Sequence, residues 1–366
     1  MAGILRYDPN DIVVDTQKLT TSTWSNNTNN LTVAFTSSVQ AKFDTPSSSG
    51  QFFIEVYNAH TSSAQAEVQY TLSYGHKDGF GAPNFTNDTG SKGFNAAKCI
   101  YNQYRQLVFG DEASNFTFGS HTPDSIYVIN VNRSRFKHNL KPGTLNLYLS
   151  GAANPGAPEN SLAGNPKGVL KLTDDSVSRT GSAVLTNLGR QFNIVSGANG
   201  IRSGSTSEQI GGSGSFGHFY PDAGILIFNP DTLGYIFTGS LGGSDQTGPG
   251  LEPKAVNDID NNKNIQKLHL AISGGKYFIL DSQEKITSQF YFTRVRNGEF
   301  NYTTNPSFID NNGNLNFNSM IDNPQTYITT VGLYNDNNDL VAVAKVSQPI
   351  AKDFTKEALI RVKLDY

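Results

Sequence analysis

The chain has 366 residues, 37% of them hydrophobic and 16% charged, with a formal net charge of -3. So weak a net charge argues against disorder driven by self-repulsion, and 23 Phe with 16 Tyr supply ample apolar surface for a core. The near-neutral balance gives no footing for binding nucleic acid or an anionic membrane, and partners of both kinds are excluded from the reading.

From Met1 to Pro9 there is no apolar stretch of signal-peptide length. No other segment approaches the roughly 20 apolar residues that span a bilayer. Cys99 is the only cysteine, so no internal disulfide framework exists. Synthesis in a reducing cytoplasm, without export or membrane insertion, is the expectation.

Period-two alternation predicts strands over residues 51–58 and 66–74. A helix is predicted over Asn95–Val108, with Ala96, Ile100, Tyr104 and Leu107 on one face and Ala97, Lys98, Gln103 and Arg105 on the other. Cys99, beside Ile100, reads there as a small buried hydrophobe. Strands follow at Ile126–Val131 and Thr144–Leu149, joined past a turn at Lys141-Pro142-Gly143. Between them, Arg133, Arg135, Lys137 and His138 fit the solvent face of a strand.

The Gly/Pro/Asn-rich stretch Gly151–Lys167 marks a surface loop or a domain edge, dividing the chain into residues 1–150 and 151–366. Beyond it, Gly168–Thr173 reads as strand and Ser182–Leu188 as a short helical turn. Two further Gly-rich segments, Gly197–Gly217 and Gly239–Pro253, flank Ala223–Asn229, whose apolar run suits a strand buried on both faces. Strands are also predicted at Tyr277–Leu280 and Ser288–Val295. Thr326–Tyr334 and Leu340–Val346 form a hairpin about the turn Asn335–Asp339. The last strand, Ala358–Tyr366, sets Leu359, Arg361, Lys363 and Asp365 against Ile360, Val362, Leu364 and Tyr366. The fold class is mainly β: antiparallel sandwich or barrel-like sheets, long Gly/Ser/Asn loops, and one or two short helices.

Local motifs give no coherent chemistry. Gly212–Gly217 satisfies G-x-G-x-x-G, but Pro221 follows too soon for the helix that a dinucleotide loop needs. Asp258–Asn264 resembles a calcium loop, yet Lys263 stands where Gly is required and His269 where the bidentate Glu belongs. It reads as a polar turn, as do Asp310–Asn314 and Asn335–Asp339. The six histidines, at 60, 76, 121, 138, 218 and 269, include no pair at metal-ligand spacing, and no G-x-S-x-G elbow occurs. Catalytic, cofactor and metal residues are therefore assigned to none. Phe80, Phe85, Phe94 and Tyr220 could stack on host glycan as a fibre or decoration protein would, although loop anchoring is the simpler role. A virion-borne glycan hydrolase would need a carboxylate pair that no motif nominates.

Three segments carry a resemblance: Phe290–Phe308, Tyr327–Asp336 and Leu340–Lys345. They resemble virion structural proteins of myoviruses, especially T4-like phages infecting cyanobacteria and other marine bacteria. Ile126–Arg135 and Phe219–Pro230 are similar to the same proteins. The resemblance implies a non-enzymatic component of a contractile-tailed virion, in the baseplate or adjoining tail, partnered by other virion proteins and by copies of itself. The assembly interface is then expected at Tyr327, Val331, Leu333 and Tyr334 of the hairpin and at Ile360, Val362, Leu364 and Tyr366 of the final strand.

Overall fold

The computed structural model describes residues 5–25, 31, 41–43, 53–60, 62–79, 96–150, 169–202, 215–233, 264–302 and 306–366. The strands in chain order are β1 (Ile12–Ser22), β2 (Ala41–Phe43), β3 (Phe53–Tyr57) and β4 (Val68–His76), then helix α1 (Ala96–Phe109). Next come β5 (Ser125–Val131), β6 (Asn139–Leu140), β7 (Asn146–Ser150), β8 (Val169–Asp174), β9 (Val184–Thr186), β10 (Gly189–Ala198), β11 (Ile201–Arg202), β12 (Gly217–Tyr220) and β13 (Ile225–Phe228). Helix α2 (Asn264–Gly275), β14 (Phe278–Ile279), β15 (Asp281–Val295), the short α3 (Ser319–Asp322), β16 (Thr326–Tyr334), β17 (Leu340–Lys352) and β18 (Ala358–Asp365) complete the series. The protein is mainly β, with antiparallel sheets and few helices.

Two compact units result: a larger one, Leu19–Glu284, and a smaller one made of Met1–Lys18 and Lys285–Tyr366. Separation thus falls at 18/19 and 284/285, not at 150/151. The strands flanking that expected edge are neighbours, with Leu147 opposite Leu172 and Leu149 opposite Leu170. A Gly/Pro-rich stretch serves a strand-to-strand connection as well as a domain linker, which is why composition misplaced the boundary.

In the larger unit one sheet runs β14-β7-β8-β10-β12-β13-β5-β4-β3-β2. Helix α2 packs on β7, near one end of that order, and on β3 and β4, near the other. The sheet therefore curls around it. Leu268, Ala271 and Ile272 of α2 join Tyr70, Leu72, Tyr127, Ile129, Leu147, Leu172, Phe219 and Phe228 in one buried cluster. Trp24 bridges the two ends: its ring lies 4.8 Å from Phe278 of β14 and 6.0 Å from Tyr70 of β4, and its Nε1 donates to the Phe278 carbonyl at 2.9 Å. Each such large apolar side chain, fully buried, stabilises the unit by about 1.5–3 kcal/mol.

The sheet's other face is covered by α1. Ile126, Val128, Tyr220, Ile225 and Ile227 pack there with Tyr101, Tyr104 and Val108. As expected for β13, Ile225–Phe228 is buried on both faces. The buried stripe of α1 is Ala97, Tyr101, Tyr104 and Val108, one residue displaced from the predicted face, while Leu107 is exposed. The displacement follows from Gly75 in β4, where a Cβ would come within 2.7 Å of the Tyr101 backbone nitrogen. Only glycine lets the helix seat at Tyr101. Arg105, expected outside, is buried; its guanidinium lies over the Tyr101 ring at 4.7 Å and donates to Asn115 Oδ1 at 3.2 Å and to the Glu112 carbonyl. Cys99 is exposed rather than buried, being off the stripe that meets β4.

Three local expectations are corrected. Arg133–Arg135 forms a 3-10 turn instead of a strand, capped by Asn132, whose Oδ1 accepts from the Ser134 backbone nitrogen at 3.0 Å. Arg135 of the turn and the nearby Lys137 are paired with residues distant in sequence, Arg135 with Glu67 and Lys137 with Glu284, each at 2.8 Å. Residues 184–186 form β9 against β10, not a helical turn. Helix α2 went unpredicted. Of the long Gly-rich segments, residues 151–168, 203–214 and 234–263 lie outside the described residues.

Candidate assembly surface

In the smaller unit β15 is flanked by β1 and β18. β15 and β18 pair without a break from Ser288 opposite Asp365 to Val295 opposite Ala358. Tyr291 and Thr293 stand opposite Val362 and Ile360, and Tyr7 caps that face. Its ring meets Tyr291 edge-on at 5.6 Å, and its hydroxyl lies 2.6 Å from Thr293 Oγ1. The opposite face is polar: Arg361 and Lys363 sit 5.4 and 6.0 Å from the Phe290 ring centroid. Ser288 Oγ donates to Asp365 at 2.6 Å and Lys363 pairs with it at 3.0 Å, so the Asp365 carboxyl is held below the ordinary carboxylate range. The predicted segregation of charged from apolar positions in the last strand therefore holds, except that Tyr366 is 69% exposed.

β16 and β17 form a separate two-stranded sheet. Its turn is built by Asn335, whose Oδ1 accepts from the backbone nitrogens of Asn337 (3.0 Å) and Asp339 (2.8 Å), with Asn338 at φ 64°. The expected hairpin and turn are both present. Ile328, Val331, Leu333, Ala342 and Ala344 turn inward, half-buried or buried. Tyr327, Tyr334, Leu340, Val341 and Val343 turn outward and are exposed. A two-stranded hairpin is marginal alone in water, and one with an apolar outer face more so.

The unit as a whole inverts the usual distribution. Among the described residues, its buried hydrophobic side chains are Val295, Leu333 and Val362. Its exposed large ones are Leu5, Val13 and Val14 near the N-terminus, and Phe300, Tyr302, Phe308, Phe317, Ile321, Tyr327, Tyr334, Leu340, Val341, Val343, Phe354, Leu359 and Tyr366 toward the C-terminus. Single exposed apolar residues are ordinary, but a unit with far more of them outside than inside presents surface for another protein to cover.

Of the eight residues expected at an assembly interface, Tyr327, Tyr334 and Tyr366 are exposed, while Val331, Ile360 and Leu364 are half-buried. Leu333 and Val362 are buried within their own unit, where they serve its small core, and offer nothing to a partner. Val341 and Val343, not among those eight, are also exposed, alternating with half-buried Ala342 and Ala344.

Among the described residues, no group of three or more His, Cys, Asp or Glu side chains could hold a metal ion. Asp310 is satisfied within its own turn, its Oδ1 accepting from Asn312 and Asn314 backbone nitrogens at 2.8 Å, which lowers its pKa. Residues 258–263 of the calcium-like run lie outside the described residues; Asn264 and His269 belong to α2. After Gly217 the chain continues as strand β12, so the glycine pattern lacks the helix a dinucleotide would need. Tyr220 is wholly buried against α1 and cannot stack on a sugar; Phe80, Phe85 and Phe94 lie outside the described residues. No described helix is long and apolar enough to cross a membrane.

Comparison with protein-family models, with curated proteins and with solved structures finds no match to this chain.

Proposed function

We propose that the chain is a structural component of a contractile-tailed bacteriophage virion, in the baseplate or adjoining tail, acting by protein–protein assembly and not by catalysis. The observation that supports this reading is the smaller unit, in which exposed large hydrophobic side chains far outnumber buried ones among the described residues. The three segments with the most specific resemblance to myovirus virion proteins, Phe290–Phe308, Tyr327–Asp336 and Leu340–Lys345, all fall in that unit. The larger unit supplies a well-filled scaffold and the smaller one the surface to be covered. Partners are other virion proteins and copies of the chain itself.

The test is incorporation. Tyr327→Asp and Val343→Asp change exposed side chains, so the isolated protein should keep its circular dichroism spectrum and melting temperature. Particles assembled with either variant should lack the protein. Normal incorporation of both would remove the assembly role of the hairpin's outer face.

A further inference from the structure

Strand edges, unlike faces, carry unpaired backbone donors and acceptors, and proteins blunt them with charges, proline or bulges. Four strands of the smaller unit end a sheet among the described residues: β1, β18, β16 and β17. Three are guarded. β1 carries Asp15 and Lys18, β18 carries Arg361 and Lys363, and β17 carries Lys345 and Pro349. The hairpin's main irregularity also lies on β17: between the pairs Ile328–Ile350 and Thr330–Lys345, four β17 residues are left over against Thr329 alone.

β16 is different. Its nine residues, Thr-Tyr-Ile-Thr-Thr-Val-Gly-Leu-Tyr, contain no charge and no proline, and all but Gly332 are β-branched, aromatic or Leu. Uncharged runs of this composition pair with copies of themselves. A closed two-stranded junction between identical strands is isologous, with a residue at the axis facing its own copy. The register that uses the whole of β16 centres on Thr330, which is exposed, and brings no like charges together. Every chain brings the complementary strand with it, so no other partner is required.

We propose that the free edge of β16 is a homotypic docking edge, adding antiparallel to β16 of a second copy across a two-fold axis at Thr330. The proposal deepens the assembly reading and rests on it. It assigns one of the surfaces of the smaller unit to self-association and leaves the others for different virion proteins.

Charge exchange at the axis tests it. The purified full-length chain should sediment as a dimer at micromolar concentration. Thr330→Lys places two like charges at the axis and should raise the dissociation constant by about tenfold or more, and Thr330→Glu should do the same. An equimolar mixture of the two variants should regain the dimer, since Lys then faces Glu. Both variants should melt as the parent monomer does, because Thr330 is exposed. A monomeric parent chain, dimers indifferent to both substitutions, or a mixture that stays monomeric would each overturn the proposal. None of these results alone touches the assembly reading, which stands or falls on incorporation into particles.

Discussion

Lys352 Nζ donates to Asn301 Oδ1 at 2.7 Å, with both residues buried, and this bond ties the end of β17 to the loop that leaves β15. The ammonium's other two protons go to the carbonyls of Asn297 (2.8 Å) and Asp353 (2.9 Å), so each of its three donors has an acceptor. The neighbouring Asp353 carboxylate serves a different purpose. It accepts from Thr355 Oγ1 at 2.6 Å and pairs with Lys356 at 3.0 Å, which hold its pKa down to about 2.

Removing the Lys352 side chain strands the Asn301 amide oxygen and the Asp353 carbonyl in a buried site, and leaves the partly exposed Asn297 carbonyl to water. Lys352→Ala should cost about 2–4 kcal/mol of stability. Chemical denaturation followed by the smaller unit's own signal checks this, and a loss under about 0.5 kcal/mol would show the cage to be solvated in practice.

Close backbone approach makes a second expectation. A Cβ on Gly275 would lie 1.8 Å from the Tyr148 carbonyl oxygen, where α2 meets β7, whereas a Cβ on Gly298 meets nothing within 4 Å. Gly275→Ala should destabilise the larger unit by about 1–3 kcal/mol or prevent its folding. Gly298→Ala should stay within about 0.5 kcal/mol of the parent. Urea midpoints of the two variants, compared side by side, decide the matter.

Burial depresses the His218 imidazole to about 4, and its ring packs 4.7 Å from that of Phe118. The folded value lies below the unfolded one of about 6.5, so the neutral ring contributes stability above that pH. That contribution is lost as pH falls from 6.5 toward 4, and integrates to about 3 kcal/mol. Burial lowers His269 and His76 as well, in the same direction. The depressed carboxylates Asp353, Asp365 and Asp310 act in the same sense at lower pH. Buried Asp174 and half-buried Asp281 are raised by desolvation and oppose them. His218→Phe should therefore flatten the stability profile between pH 6.5 and 4; an unchanged slope would show that His218 gains its proton without unfolding.

Cys99 is exposed on α1, so a thiol reagent should titrate one group per chain in the folded protein as fast as in urea. A thiol that reacts only after denaturation would mean that the helix presents a different face.

Much of the fold was legible because strand periodicity is local. Ile126–Val131, the 326–334 strand and the 358–365 strand alternate clearly, and each forms close to its predicted bounds. What escaped depends on distant partners. The face of α1 is set by Gly75, some 20 residues upstream, which no helical pattern reveals. α2 carries Ile265, Leu268, Ala271 and Ile272 at helical spacing, but the Asp- and Asn-rich run before it has turn composition and no clear helix start. The discontinuous smaller unit is likewise invisible in a linear reading, since Tyr7 meets Tyr291 and Thr293 only after folding. For the proposed assembly surface, the hairpin tyrosines Tyr327 and Tyr334 were legible and are exposed. The inward turn of Leu333 and Val362 was not, because alternation identifies two faces without saying which one the unit keeps.

The most direct test of the assembly role is cryo-electron microscopy of the intact particle, with this chain traced into the map. The chain is expected to ring the tail end or baseplate, with Tyr327, Tyr334, Val341 and Val343 of the smaller unit covered by neighbouring subunits. A chain at a distal tip, with those four side chains facing solvent, would contradict it.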